Sequence, residues 1–223
     1  MQKNLGPKKV LIWGAGSFGE EILDCLDEIN CIKPTYECVG FLDDNQKSWG
    51  AEIYGLKVLG SLDLASSYKD CLFVNGIGSS KNFWLKKEII SKTKIPQDAF
   101  ETIIHPTASV SQMSKIGLGS VILQNVTVSS DVIIGNQVIV LPNSVINHHD
   151  IIKDYTIVAS GVCISGGVTV GESCYLGTNS SIIGSVTVEK KCLVGMGSVV
   201  LNDVPENSVV VGSPAQFSRK LLD

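Results

Sequence analysis

Stepping by six from Ile104 gives Val110, Ile116, Ile122, Val128, Ile134, Val140, Ile146, Ile152, Val158, Ile164, Val170, Leu176, Ile182, Val188, Val194 and Val200. These are seventeen consecutive positions, each Ile, Val or Leu, before the next step lands on Glu206. Four residues after each aliphatic position stands a small or β-branched residue: Ala108, Ser114, Ser120, Val126, Val132, Val138, Ser144, Thr156, Val162, Val168, Cys174, Ser180, Val186, Cys192 and Ser198. Asp150 is the one exception in that series. An uninterrupted period of six predicts strands of two or three residues joined by tight corners, three hexapeptides to each turn of a triangular prism. The aliphatic residue fills the prism and the small residue lets the corner close, as in a parallel β-helix of the hexapeptide kind.

The residues before about 103 follow a different rule. "KKVLIWGAGSFGEEILDCLDEI" reads as strand, glycine loop and helix, "YECVGFLDD" as a second strand ending in acids, and "CLFVNGIGSS" as a third strand ending in a small-residue loop. "KNFWLKKEIISK" reads as helical. Alternation of strands and helices predicts a small parallel α/β sheet with its ligand edge at the strand carboxyl ends, a half-sized Rossmann-like domain. The expected division is 1–103 for this nucleotide- or sugar-binding domain and 104–223 for the β-helix with a short C-terminal tail.

Composition narrows the function. A net charge of −4 without a long basic run gives no electrostatic footprint for nucleic acid. No apolar run reaches the ~18 residues that span a bilayer. The seven cysteines, Cys25, Cys31, Cys38, Cys71, Cys163, Cys174 and Cys192, form no C-x-x-C pair. They read as reduced, mostly buried thiols of a cytoplasmic protein.

Gly14-Ala15-Gly16-Ser17-Phe18-Gly19 fits G-x-G-x-x-G between a strand and a helix, with Asp43 and Asp44 at the end of the next strand. Glycines there permit close backbone approach, and the helix N-terminus offers amides to a phosphate. The alternative is a tight strand–helix turn needed only for packing. A mononucleotide or nucleotide-sugar phosphate suits the domain size better than a dinucleotide.

Only three histidines occur, and His148 and His149 are adjacent. In the six-residue register both fall at a corner after Ile146, where a side chain projects outward or into a cleft. With Asp150 beside them at the break in the small-residue series, this is where function is expected to disturb a fold rule. The alternative is a solvated polar corner. His105 lies 43 residues before His148 in a different register slot and opens the first coil, so it reads as structural, and no three-histidine metal site arises within one chain.

The two halves together, with "GAGSFG" and "FLDD" preceding "INHHDIIKDY", "GTNSSIIGSVTV", "GMGSVVLNDVP" and the terminal "VVVGSPA", resemble the sugar O-/N-acetyltransferases of the sialic-acid O-acetyltransferase and bacillosamine N-acetyltransferase type. The resemblance implies a left-handed β-helix, a homotrimer, and acetyl-CoA in the groove between neighbouring prisms. It further implies an acceptor sugar held by the α/β domain of one subunit facing a catalytic histidine. Counting back four from Ile152 matches that histidine to His148. The acid that usually follows falls on His149, a departure, and Asp150 is the candidate to orient His148 instead. Gly166 matches the glycine whose N–H faces the thioester carbonyl. Thr178 with Asn179 and Met196 with Gly197 match positions lining the pantetheine, and Gly212 to Ala215, Pro214 included, match the end of the groove. Gly14, Gly16, Ser17, Phe18, Asp43, Asp44 and Ile157 match the acceptor side. Members acting on UDP-linked amino sugars often carry histidine where this chain has Phe18 and Ile157, which weakens the carry-over of a UDP-amino-sugar acceptor.

The expected reaction is direct transfer from acetyl-CoA to a sugar hydroxyl or amine, with neutral His148 as general base and the Gly166 amide at the oxyanion. Two rival readings stand beside it: an acetyltransferase for serine or another small amine, and a non-catalytic nucleotide-binding trimer.

Overall fold

The computed structural model describes residues 6–222. Its first domain runs β1 (Lys8–Trp13), α1 (Ser17–Ile32), β2 (Tyr36–Leu42), β3 (Glu52–Ile53), β4 (Leu56–Gly60), β5 (Leu72–Asn75) and α2 (Lys86–Lys92), with short 3-10 turns between. The sheet order is β3-β4-β2-β1-β5, parallel except where β3 meets β4. The β3–β4 hairpin is an addition to the three strands read from sequence. Its two-residue turn, Tyr54 (φ 49°) and Gly55 (φ 83°), has the left-handed conformation that hairpin turns require. Helix α1 lays Ile22, Leu23, Cys25 and Leu26 into the domain core. Gly19 is where it comes closest to the sheet: a Cβ there would collide with the Gly14 carbonyl.

From Ile103–Ile104 to Ser181–Ile182 the chain winds as a prism in which each two-residue strand pairs in parallel with the strand eighteen residues later, as Val145–Ile146 does with Cys163–Ile164. The aliphatic register forms one continuous core from Ile122 to Val200, reaching Val204 and Val210 beyond the regular repeat. At its start the expectation fails. Ile104 is 40% exposed and Val110 and Ile116 are only partly buried, because the first coil has no coil above it to cover them. At its other end the expected tail is a hairpin, Ser208–Gly212 against Ala215–Lys220.

From Gly119 to Gly197 each corner carries one residue in the left-handed region, three after the aliphatic position: Asn125, Asp131, Gln137, Asn143, His149, Tyr155, Gly161 and Gly167, among others. Asn, Asp and Gly tolerate that conformation best.

The α/β domain sits on one face of the prism, the one that stacks Val121–Ile122, Ile139–Val140, Ile157–Val158, Tyr175–Leu176 and Leu193–Val194. Outward residues of that face, Val121, Ile139, Ile157 and Leu193, share an apolar cluster with Val10, Ile22 and Phe41. Polar ties reinforce the seam. Asn75 Nδ2 donates to Gln137 Oε1 at 2.9 Å, and the buried Lys86 donates to the Gln137 carbonyl at 2.6 Å. His105 is 2.6 Å from Glu28 through Nε2 and accepts the Thr107 N–H on Nδ1, a structural role as read from sequence. All seven cysteines are free. Cys25, Cys174 and Cys192 are buried, but Cys31 and Cys163 are exposed, contrary to the expectation of mostly buried thiols: Cys163 points outward from its strand.

Candidate active site

His148 and His149 stand on the edge of the prism between the other two faces, opposite the face that carries the α/β domain. Both rings are exposed, as the corner position requires. His149 takes the left-handed slot of its corner at φ 63°. The rings meet edge to face with centroids 5.2 Å apart, and their Nδ1 atoms are 3.0 Å apart, so one ring donates to the other.

Stacking at eighteen residues builds the rest of the site. One coil beyond His148 lies Gly166, whose absent side chain makes room for the imidazole: a Cβ there would stand 2.4 Å from His148 Cε1 and 2.8 Å from both ring nitrogens. One coil before His149 lies Asp131, with Oδ2 3.8 Å from His149 Nε2, an ion-pair distance longer than a hydrogen bond. The sequence reading passed over Asp131. Its signal was the eighteen-residue column, which places Asp131 directly against His149.

Asp150 does not fill the role expected of it. Its side chain follows the small-residue series into the prism, where it is fully buried, and Oδ1 accepts the Val168 N–H at 2.8 Å. The other oxygen, Oδ2, is buried without a partner among the described residues. Burial pushes its carboxyl up to about 7 against the weaker lowering effect of nearby backbone N–H groups. The acid in contact with the histidine pair is therefore Asp131, whereas Asp150 is buried behind the corner and bonds the Val168 N–H.

The residues matched to the acetyl-CoA side lie on a different edge of the same prism. Thr178, Asn179, Met196 and Gly197 occupy the corners that follow the Tyr175–Leu176 and Leu193–Val194 strands. Met196 is 77% exposed, and Gly197 donates to the Thr178 carbonyl at 2.8 Å. Gly212 to Ala215 form the turn of the C-terminal hairpin. Within one chain the structure thus joins His148, His149 and Gly166 but keeps them apart from the pantetheine set.

On the α/β domain a cavity of about 300 Å³ opens at the strand carboxyl ends, lined by Gly14, Gly16, Asp43, Asp44, Gly76 and Asn82 among others. Gly16, the N-cap of α1, lines it, so the helix N-terminus borders the cavity, a place that favours a phosphate. Asp43 braces the glycine loop by accepting the Ala15 N–H at 2.7 Å, and Asp44 accepts the Leu62 N–H at 3.0 Å. Both retain lone pairs for sugar hydroxyls. A larger hollow of about 460 Å³ along α1 includes Ser17 but is walled by Glu20, Glu21, Asp24 and Asp27, which would repel a nucleotide. Phe18 is half-buried and packs toward the domain core. Ile157, expected on the acceptor side, is fully buried with Cδ1 against Gly78, so the domain seam covers it and it faces no open site.

Among the described residues no cluster of His, Cys, Asp and Glu could hold a metal ion, and no helix is long and apolar enough to cross a membrane.

Residues 9–92 match the protein family described as the PglD N-terminal domain. A curated relative, UDP-N-acetylbacillosamine N-acetyltransferase of Bacillus subtilis (strain 168), is 31% identical over 118 residues, 52% of this chain. That match takes in 51% of the relative, so the chain spans about half the length of the curated relative it matches. Among solved structures, the acetyltransferase domain of PglB from Neisseria gonorrhoeae FA1090 is similar with a TM-score of 0.81 at 24% identity, covering 95% of this chain and 100% of that one. PerB from Caulobacter crescentus, in complex with CoA and GDP-perosamine, has a TM-score of 0.79 at 23% identity, covering 95% and 97%. At these identities the structural likeness establishes the fold: an α/β domain followed by a left-handed β-helix.

Proposed function

Taking as premise a first domain of the PglD N-terminal family joined to a hexapeptide β-helix, we propose that the chain transfers an acetyl group from acetyl-CoA to an amino group of a nucleotide-linked sugar. The observation that carries this reading is the His148 ring seated directly on Gly166. It puts a proton acceptor and a backbone N–H in one stack on an exposed edge.

One hydrogen bond, between the two Nδ1 atoms, and one longer ion-pair contact, to Asp131, support an assignment of the base. With Nε2–H of His149 turned to Asp131, its Nδ1 lone pair accepts from His148 Nδ1–H. That leaves Nε2 of His148 as the basic nitrogen. As the acceptor amine attacks the thioester carbonyl, His148 Nε2 takes its proton. The oxyanion forms against the Gly166 N–H. On collapse the C–S bond breaks, and the departing CoA thiolate takes the proton from His148. His149 and Asp131 replace the single acid that follows the base in the resembling family.

Placement supports a site shared between subunits. The nucleotide cavity belongs to a domain on one face of the prism, whereas His148 occupies the opposite edge, so a second copy must bring its α/β domain to this histidine. Beside that edge Ile133 and Ile151 point outward and are 45% and 37% exposed, apolar surface suited to a neighbouring prism. We read the assembly as a homotrimer. The named activity of the Bacillus subtilis relative and the CoA and GDP-perosamine bound to PerB support the reactant classes.

The test is acetyl-CoA-dependent release of free thiol across UDP-, GDP- and dTDP-linked amino sugars, sialic acids and serine. Turnover confined to one nucleotide-linked amino sugar class supports the reading. Turnover with serine alone, or nucleotide binding without acetyl-CoA binding, overturns it.

A further inference from the structure

Asp150 occupies an inward slot whose hydrogen bonds follow a rule. Ser114, Ser120, Ser144 and Thr156 each donate their hydroxyl to the carbonyl fifteen residues on, and Cys174 directs its thiol to the carbonyl of Glu189 in the same way. Several of the same side chains also accept the N–H eighteen residues on: Ser120 from Val138, Thr156 from Cys174 and Cys174 from Cys192. Ser180, whose hydroxyl has no partner, is an exception. Asp150 obeys the second half of the rule, since Oδ1 accepts from Val168. The first half assigns its other oxygen to the carbonyl of Ser165, but only a protonated carboxyl can donate there. Oδ2 is fully buried and has no partner among the described residues.

Ser165 and Gly166 share one peptide unit, and in a trans peptide the C=O and the N–H point to opposite sides. A carbonyl held inward by Asp150 turns the Gly166 N–H outward, toward the edge where His148 lies. Among the described residues that N–H donates to no protein group.

We propose that Asp150 is a positioning residue. As the neutral acid it donates from Oδ2 to the Ser165 carbonyl, fixes the Ser165–Gly166 peptide and polarises the outward Gly166 N–H for the oxyanion. This rests on the reading of Gly166 given under Proposed function. The hydrogen bond runs through the peptide bond in series with the one to the oxyanion, and such chains strengthen one another.

The surroundings decide the titration. His148 and His149 lie on Asp150's own corner and Asp131 on the coil before; the backbone N–H groups of Val168, Asn147 and Gly167 favour the charged form, and the prism core around it is aliphatic with Cys174 and Cys192 further along. Burial keeps the acid neutral up to about pH 7. Above that it ionises, loses its donor and repels the Ser165 carbonyl, so kcat falls as pH rises.

The experiment compares wild type, Asp150→Ser and Asp150→Val across pH, reading kcat, the Kd of acetyl-CoA and the Gly166 amide resonance of 15N-glycine-labelled protein. Serine repeats the Ser144 pattern and does not titrate, whereas valine is native to this slot at Val132 and Val168 and lacks a donor. We expect a wild-type kcat that declines above about pH 7 and a Gly166 amide that shifts with the same midpoint. In Asp150→Ser both changes vanish and most turnover is retained. In Asp150→Val, kcat is about 10-fold below wild type at pH values where Asp150 is protonated, the deficit closes above about pH 7 as the wild type loses its donor, and acetyl-CoA affinity is unchanged; the loss is a fraction of that caused by removing an oxyanion donor. An upper limb that persists in Asp150→Ser, or a valine variant with full kcat, overturns the proposal. An amide that titrates with Asp150 in a protein without transferase activity retains the hydrogen-bond assignment and rejects the acetyl-transfer reading instead.

Discussion

Replacing Gly166 by alanine separates the geometry of this site from the stability of its fold. The three atoms nearest to the new methyl are all in the His148 ring, the closest at 2.4 Å. Ordinary contact begins near 3.4 Å, so the ring must retreat by about 1 Å. Gly166 is not in the left-handed region, and the ring is exposed, so it can move without disturbing the core. The stability change is therefore within about 0.5 kcal/mol, as for other surface substitutions. Catalysis pays no such small cost. A displacement of about 1 Å in a reacting group lowers kcat by roughly 100-fold, or about 2.7 kcal/mol in the barrier. The assay is thiol release with the acceptor identified in the panel, alongside acetyl-CoA calorimetry and thermal unfolding. An unfolding temperature and an acetyl-CoA Kd close to wild type, with kcat down by two orders of magnitude, is the expected pattern. A kcat within about threefold of wild type would mean that the His148 position over Gly166 has no part in the reaction.

Further outcomes follow from neighbouring contacts. His149→Ala and Asp131→Ala should each lower kcat by about 10-fold or more by freeing the His148 ring, with acetyl-CoA affinity unchanged, and the double variant should lose little beyond the worse single one. Asp150→Ser should gain stability over wild type as pH rises. The folded carboxyl titrates near 7 against an ordinary 3.8, so folding holds its proton more tightly, and wild-type stability is lost between about pH 4 and 7. The full gap corresponds to about 4 kcal/mol, read as the difference in chemical-denaturation free energy between pH 8 and pH 4. At the domain seam, Gly78→Ala should destabilise by roughly 1–3 kcal/mol, because its methyl meets the buried Ile157 Cδ1 at a left-handed backbone position, φ 138°.

The prism was legible because its physics is periodic. A two-residue strand and a fixed corner impose one aliphatic position in six, and seventeen in step leave no other fold. The corner placement of His148 and His149 followed from the same register. So did the inward direction of Asp150, since the series that marked it as an exception also points into the core; its chemistry beside the histidines obscured that. Ile104 fell outside the rule because periodicity does not mark where a stack begins. Asp131 was hidden for a related reason: its partnership with His149 runs along the stack, eighteen residues apart, and not along the chain. The β3–β4 hairpin is short, and Tyr54 at its left-handed turn is not a usual turn residue. Ile157 could not be placed from sequence, because its burial depends on how the α/β domain docks on the prism.

His148→Ala, measured for kcat and for acetyl-CoA Kd in the same preparation, tests the central claim most directly. The ring lies on an exposed edge and contributes to no core, so the variant keeps its fold. Loss of a general base should lower kcat by about 10²- to 10⁴-fold while acetyl-CoA binds as before. Equal losses in turnover and acetyl-CoA affinity, or turnover that survives, would contradict the assignment of His148 as the base.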